Sequence, residues 1–292
     1  MSRKIKLTRL PQDVLINMVD SCPSLVDRYT FAKVLGLKEQ IASTHLSVEY
    51  ELDQALKRIR SNAYRVDLSQ TTIYDDLRTV VHLMKLTSHR TSLDFTHTYI
   101  HVRGAIILSD LLMSDCSLHK LDLTYSYISQ EGTKVLFKAL KKNTSVKTLI
   151  LNHNNIEPDG AEAIFSGLCA NSTLTHLDLR WNRLRYHGAF WIAEALKVNT
   201  ALTYLNLCGN LISTQGVHYM CHTLIKNSTL TSLDLSCNDI DSSAVGPIRG
   251  MLDANTVLTM LNLENNRLRD RDVDTINKAL SANKTLLTLE VY

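Results

Sequence analysis

Apolar and polar positions along the chain recur at a fixed distance. The segments LHKLDLTYSYI from Leu118, VKTLILNHNNI from Val146, LTHLDLRWNRL from Leu174, LTYLNLCGNLI from Leu202, LTSLDLSCNDI from Leu230 and LTMLNLENNRL from Leu258 each begin 28 residues after the one before. LLTLEVY begins the last, at Leu286. Upstream, Leu93 keeps the 28-residue step to Leu121, Val66 stands 27 residues before Leu93, and THLSV near Leu46 reads as a shortened opening unit.

Two periods are superposed in each unit. Leu177 and Leu179 alternate as in a strand, while His176, Asp178 and Arg180 point the other way, toward solvent. An Asn follows (Asn154, Asn182, Asn210, Asn238, Asn266), a residue whose side chain hydrogen-bonds backbone inside a sharp turn; an apolar residue and often a Gly come next (Gly132, Gly160, Gly188, Gly216). Val135, Leu136, Ala139 and Leu140, or Trp191, Ile192, Ala195 and Leu196, then recur at helical spacing and give one apolar face. The helix closes at Asn143, Asn171, Asn199, Asn227, Asn255 or Asn283. One such unit cannot bury both its strand and its helix, so the units stack into a solenoid with a continuous core.

The repeat resembles the leucine-rich repeat in its long, helix-containing form, the ribonuclease-inhibitor-like class, over roughly residues 62–292. The resemblance implies an α/β fold, a horseshoe with a parallel sheet on its concave face and helices on its convex face. Residues 46–292 would form the solenoid and residues 1–45 a separate helical segment. It also implies a non-enzymatic scaffold that holds a protein partner. A regulator of a GTPase or of a cytoskeletal filament is the family's other use.

Composition narrows this modestly. Lys and Arg number 32 against 29 Asp and Glu, a net charge of +3, with no basic stripe for nucleic acid. The start MSRKIKLTRLPQD lacks the apolar core of a signal peptide and no later run is long enough to span a membrane, so an intracellular, cytoplasmic chain is expected. Six cysteines without paired spacing fit free thiols there. The triplets opening at Asn143, Asn171, Asn227 and Asn283 have the form of glycosylation sites, but all fall where the repeat itself calls for a turn asparagine.

Enzyme signatures are scarce, and neither catalytic residues nor cofactor nor metal is expected. HYMCH puts His218 and His222 one helical turn apart with Cys221 beside them, yet both histidines share columns with Lys and Glu and read as solvent-facing. Asp67, Asp94, Asp122, Asp178 and Asp234 share one strand position, interrupted by Ile150, Asn206, Asn262 and Glu290. Strands about 4.8 Å apart would bring unbroken carboxylates into repulsion, and the interruptions relieve it. The functional reading of that row is an acidic strip for basic partner groups.

The strongest binding signal surrounds Trp181. It shares a column with Tyr125, His153, Gly209, Cys237 and Asn265, just past the strand at the rim of the concave face, where the repeat gives a tryptophan no packing duty. Tyr125, Tyr127, His153, His176, Asp178, Arg180, Trp181, Arg183 and Tyr204 form the expected partner-binding set, since Tyr, Trp and Arg dominate interface hot spots. Arg185 flanks it, and Arg stacked on Trp as solvated surface is the alternative. Trp191, in a helix column with Val135, Ala163, Tyr219 and Pro247, reads as packing.

The N-terminal stretch does not follow the repeat. Leu10 and Pro11 open a helix with Leu15 and Met18 on its apolar face, and a second helix follows Cys22–Pro23. It reads as a cap over the first strand, or, by resemblance to an F-box, as a docking surface for a Skp-type adaptor with the solenoid as a ubiquitin-ligase substrate receptor. The tryptophan usual near the end of an F-box is lacking. At the other end the strand at Leu286, Leu289 and Val291 should pair with the strand before it and leave one edge open, in a monomer or as a point of pairing with a second copy.

Overall fold

The structure is a computed structural model that describes residues 65–69, 77, 81, 91–114 and 117–291. Leu10, Pro11, Leu15 and Met18, and the shortened unit near Leu46, lie outside the described residues. Nine parallel strands form one sheet in sequence order: β1 (Arg65–Asp67), β2 (Ser92–Asp94), β3 (Lys120–Asp122), β4 (Thr148–Ile150), β5 (His176–Asp178), β6 (Tyr204–Asn206), β7 (Ser232–Asp234), β8 (Met260–Asn262) and β9 (Thr288–Glu290). Helices with described bounds are α1 (His101–Leu112), α2 (Ser129–Leu140), α3 (Glu157–Leu168), α4 (Arg185–Leu196), α5 (Ser213–Leu224), α6 (Val245–Ala254) and α7 (Asp270–Ala282).

Register follows the sequence period. Val66 pairs with Leu93, Leu93 with Leu121, and Leu149, Leu177, Leu205, Leu233, Leu261 and Leu289 continue the row. Each strand is only three residues long, but its ladder runs on past its end: the Leu179 N–H donates to the Asn206 carbonyl at 2.9 Å. Leucines of the sheet and apolar residues of the helices close on one another in a single core, in which Leu177, Leu179, Leu184, Ile192 and Leu196 are buried. Five helices carry a buried glycine as their fourth residue, where the layers come close: a Cβ on Gly216 would lie 2.2 Å from Ile212 Cγ2 and 2.9 Å from Ala189 Cβ. One unit departs from the pattern. A short 3₁₀ turn, Ser242–Ala244, capped by the Asp241 carboxylate, stands where the other units begin their helix.

Two rows of asparagine side chains sew the units together. Asn182 Nδ2 donates to the carbonyls of Leu151, Leu179 and Arg180 at 2.8, 2.9 and 3.0 Å, and its Oδ1 accepts from the Asn154 N–H at 2.9 Å. Asn154, Asn210, Asn238 and Asn266 make the equivalent bonds. Because buried backbone groups must be paired, each asparagine stands in for the sheet that the loop cannot form. At the other turn, Asn171 Nδ2 donates to the Leu140 and Asn143 carbonyls while Oδ1 accepts from the Thr173 and Leu174 N–H groups. Asn143, Asn227 and Asn283 do likewise. All four asparagines of the glycosylation-like triplets are therefore committed to the turn. The helices before Asn143, Asn171, Asn199 and Asn227 stop three residues short of them, and only α6 and α7 run to the residue before their asparagine.

Candidate functional site

The loops leaving the strands have an unusual backbone. Trp181, Arg183 and Arg185 all adopt φ of 56°, in the left-handed region, and Asn182 and Leu184 between them are buried. In the units of Tyr125, His153 and Trp181 the alternation throws three side chains outward onto the rim. A left-handed non-glycine residue costs on the order of 1 kcal/mol. The asparagine bonds and the backbone ladder, in which Trp181 N–H donates to the Cys208 carbonyl at 2.9 Å and Arg185 N–H to the Asn210 carbonyl at 2.8 Å, oppose that cost.

Because the same position is turned outward in every unit, side chains one unit apart stack. His97 and Tyr125 have ring centroids 4.6 Å apart, Tyr125 and His153 4.0 Å, and His153 and Trp181 5.8 Å, all near-parallel. The next outward position gives a second stack, Tyr99 on Tyr127 at 5.1 Å, with His101 tilted against Tyr127 at 5.5 Å. The rings are covered by one another yet open to solvent at their edges: Tyr99 is 57% exposed, Tyr127 55%, Trp181 47% and Tyr125 38%. His97, Tyr99 and His101 extend the patch by one unit beyond the residues singled out from the sequence. Their signal was available, since SLDFTHTYI keeps the 28-residue step.

Trp181 ends the first stack, and the next residue in its column is Gly209. A Cβ there would lie 2.4 Å from Trp181 Cε3. Backbone conformation does not account for this glycine, because His97, Tyr125, His153, Trp181, Cys237 and Asn265 adopt a similar positive φ in the same column. The indole takes the space that a side chain would fill. Trp181 thus has a packing role that the repeat pattern did not announce, and its outer edge remains exposed.

Behind the stack, Asp178 and Arg180 pair, Nη2 to Oδ2 at 2.9 Å and Nε to Oδ1 at 3.2 Å. With its amide turned to suit its neighbours, Asn152 donates to Asp178 and accepts from Arg180 Nη2 at 3.1 Å. Burial first, and then the nearby Arg180 charge, hold the His153 imidazole below the ordinary histidine pKa. Arg183, in the column of Tyr99 and Tyr127, is exposed and makes no ion pair among the described residues. His176 and Tyr204 stack separately, 5.6 Å apart, on the sheet. The sequence-derived set therefore falls into a rim stack, a tethered ion pair and a strand pair, with Arg183 apart from all three.

The row of aspartates also has a structural use at the strand ends. Asp94 Oδ1 accepts from both the backbone N–H and the hydroxyl of Thr96, and Asp67, Asp122 and Asp234 do the same with Ser69, Thr124 and Ser236. These carboxylates cap the end of the strand. The spacing Asp-x-Ser/Thr in the sequence carries that signal. His218 and His222 are exposed on α5 while Cys221 beside them is buried, its thiol pushed up to about 12 by burial. Trp191 is half-buried, tilted against Phe165 at 5.3 Å and edge-on to Phe190 at 5.2 Å. Among the described residues no helix is long and apolar enough to cross a membrane.

Comparison with known proteins gives the repeat its name. The family described as Leucine Rich repeat matches residues 142–165, 170–193 and 226–248. None of the curated proteins compared with the chain matches it. Among solved structures, a protein from Bacteroides fragilis is similar over 86% of this chain and 72% of its own, with a TM-score of 0.56 and 12% identity. A structure of leiomodin-1 actin-binding site 2 is similar over 50% of this chain and 86% of its own, with a TM-score of 0.43 and 25% identity. In register, family match and architecture, the chain carries leucine-rich repeats folded as an α/β solenoid.

Proposed function

We propose that the protein is a non-enzymatic interaction scaffold that holds a protein partner on the rim of its concave face. The observation that carries this is the double aromatic stack with its exposed edges, flanked by the unpaired Arg183. Exposed aromatics are costly to leave in water and are the side chains that anchor protein interfaces. Mutual stacking covers the ring faces, so the surface offers tyrosine hydroxyls, imidazole nitrogens and the indole edge. That suits the polar and apolar mixture of a protein surface better than nucleobases, which need open ring faces. The net charge of +3 supports the same choice.

The test is capture of partners on the full chain, identification by mass spectrometry, and titration of the captured protein against variants. Trp181→Ala and Tyr127→Ala weaken binding by about 2 kcal/mol or more each, whereas Arg249→Ala on the helix side leaves it unchanged. A partner whose affinity follows Arg249→Ala and ignores both rim variants overturns the assignment.

A further inference from the structure

The same column that carries Trp181 and Gly209 continues to Cys237, and the residue before Gly209 is Cys208. The ladder bonds from Gly209 N–H to the Ser236 carbonyl, 3.0 Å, and from Leu207 N–H to the Asp234 carbonyl, 2.9 Å, set residue 208 beside residue 236 in the next unit. Cys237 is thus one unit across and one residue along from Cys208. Strands about 4.8 Å apart with a rise of about 3.3 Å per residue place the two α-carbons about 6 Å apart, inside the range that a disulfide spans. Both cysteines are unbridged, Cys208 buried and Cys237 half-buried, and the Cys208 thiol has Cys237 and the Ser236 hydroxyl as its side-chain neighbours. Neither thiol takes part in the aromatic stack or the asparagine bonds, although the Cys208 carbonyl accepts from Asn210 Nδ2 at 3.2 Å.

We infer that Cys208 and Cys237 are a thiol pair that a hydroperoxide converts into a reversible disulfide bridging adjacent units beside the Trp181 seat. The more exposed Cys237 reacts first. Its sulfur attacks the peroxide, the O–O bond breaks, and Cys237 becomes a sulfenic acid with release of water or alcohol. The Cys208 sulfur then displaces the hydroxyl, giving the S–S bond and a second product water, so one peroxide is reduced as two thiols are oxidised. Burial raises the Cys208 thiol to about 11, which leaves it the less reactive of the two toward peroxide, and its proton leaves with the displaced hydroxyl as water. Thiol exchange with a dithiol reductant reverses the step. The bridge fixes the backbone on both sides of Gly209, over which the indole rests.

The full folded chain is treated with stoichiometric hydrogen peroxide, free thiols are blocked by alkylation, and digests are read by mass spectrometry. The expected result is one cross-linked peptide pair joining Cys208 to Cys237, lighter by two hydrogens than the separate peptides and lost on reduction, with a shift in tryptophan emission that Trp181→Phe removes. In Cys208→Ser the cross-link is absent and Cys237 is found as sulfenic or sulfinic acid. In Cys237→Ser, Cys208 stays reduced. Should both thiols of the wild type remain fully alkylated after peroxide treatment, or should Cys237 over-oxidise in the wild type as readily as in Cys208→Ser, the pair is not a redox site.

Discussion

The indole of Trp181 rests on the backbone of Gly209, so closely that a methyl group on the glycine would lie 2.4 Å from Cε3 and 2.5 Å from Cδ2. A tryptophan in one unit and a missing side chain in the next are therefore a matched pair. The match makes Gly209→Ala a probe of the indole's seat. Alanine at a φ of +67° is strained by itself, so the informative quantity is the coupling with Trp181. Denaturant melts of Gly209→Ala, Trp181→Ala and the double variant should show an interaction of about 1 kcal/mol or more, the glycine change costing less once the indole is gone. Strict additivity would mean that the indole does not need the glycine.

Asn182 is expected to be among the least replaceable residues of the chain. In Asn182→Ala the carbonyls of Leu151, Leu179 and Arg180 and the N–H of Asn154 lose their partner inside the protein. Unmade buried hydrogen bonds cost about 1–3 kcal/mol each where water cannot replace them. Chemical denaturation should show a loss of about 3 kcal/mol or more, and substituting Asp, which keeps the acceptor and removes the donor, should recover only part of it.

His153 gives stability a pH dependence. Its proton affinity is lower folded than unfolded, mainly through burial and then through Arg180, so the folded state binds fewer protons. Its contribution is complete above the ordinary value of 6.5 and is lost as pH falls through the lower folded value. Melting temperature should therefore drop on acidification from neutral pH, and His153→Phe, which keeps a ring in the stack, should flatten part of that slope. An identical slope in the variant removes His153 from the account.

Thr223 is a site where stability can be gained. Its hydroxyl, in the buried face of α5, has no hydrogen-bond partner. Valine has nearly the same shape without the polar atom, so Thr223→Val should raise stability by about 1 kcal/mol. Thermal melts at matched concentration decide the sign.

The two tryptophans should separate folding from binding. Trp191→Ala removes a half-buried ring from contact with Phe165 and Phe190 and should destabilise the fold by about 2 kcal/mol. Trp181→Ala should cost less than half of that while weakening partner capture. The reverse order in calorimetry would place the two residues in each other's roles.

The sheet was legible in the sequence because one leucine in each unit lands on its equivalent in the next, from Leu93 to Leu289. The rim was legible only as a column. Identity of column told that Tyr125, His153 and Trp181 lie side by side, but not that alternate left-handed residues turn them outward into a stack, because the positions hold Tyr, His, Trp, Arg, Glu and Leu as well as the Asn, Asp and Gly that favour φ > 0, so residue type does not mark them. Their conformation is imposed by neighbouring units through the asparagine bonds, which is tertiary information. The aspartate row was plain as a column, and its spacing Asp-x-Ser/Thr is a local signal for the hydroxyl two residues on that occupies one carboxylate oxygen.

The asparagine bonds also set the grammar by which such a chain can lengthen or shorten. Asn154, Asn182, Asn210, Asn238 and Asn266 each reach back to the unit before their own, and every seam is chemically the same. Removing or duplicating a stretch of 28 residues, the separation of Asn154 and Asn182, rejoins two like edges. A cut of any other length sets leucine against the wrong column and strands an amide without its carbonyl. The solenoid is thus editable in whole units, and Trp181 with Gly209, like Phe137 with Gly167, marks a junction at which two particular units have been fitted to each other.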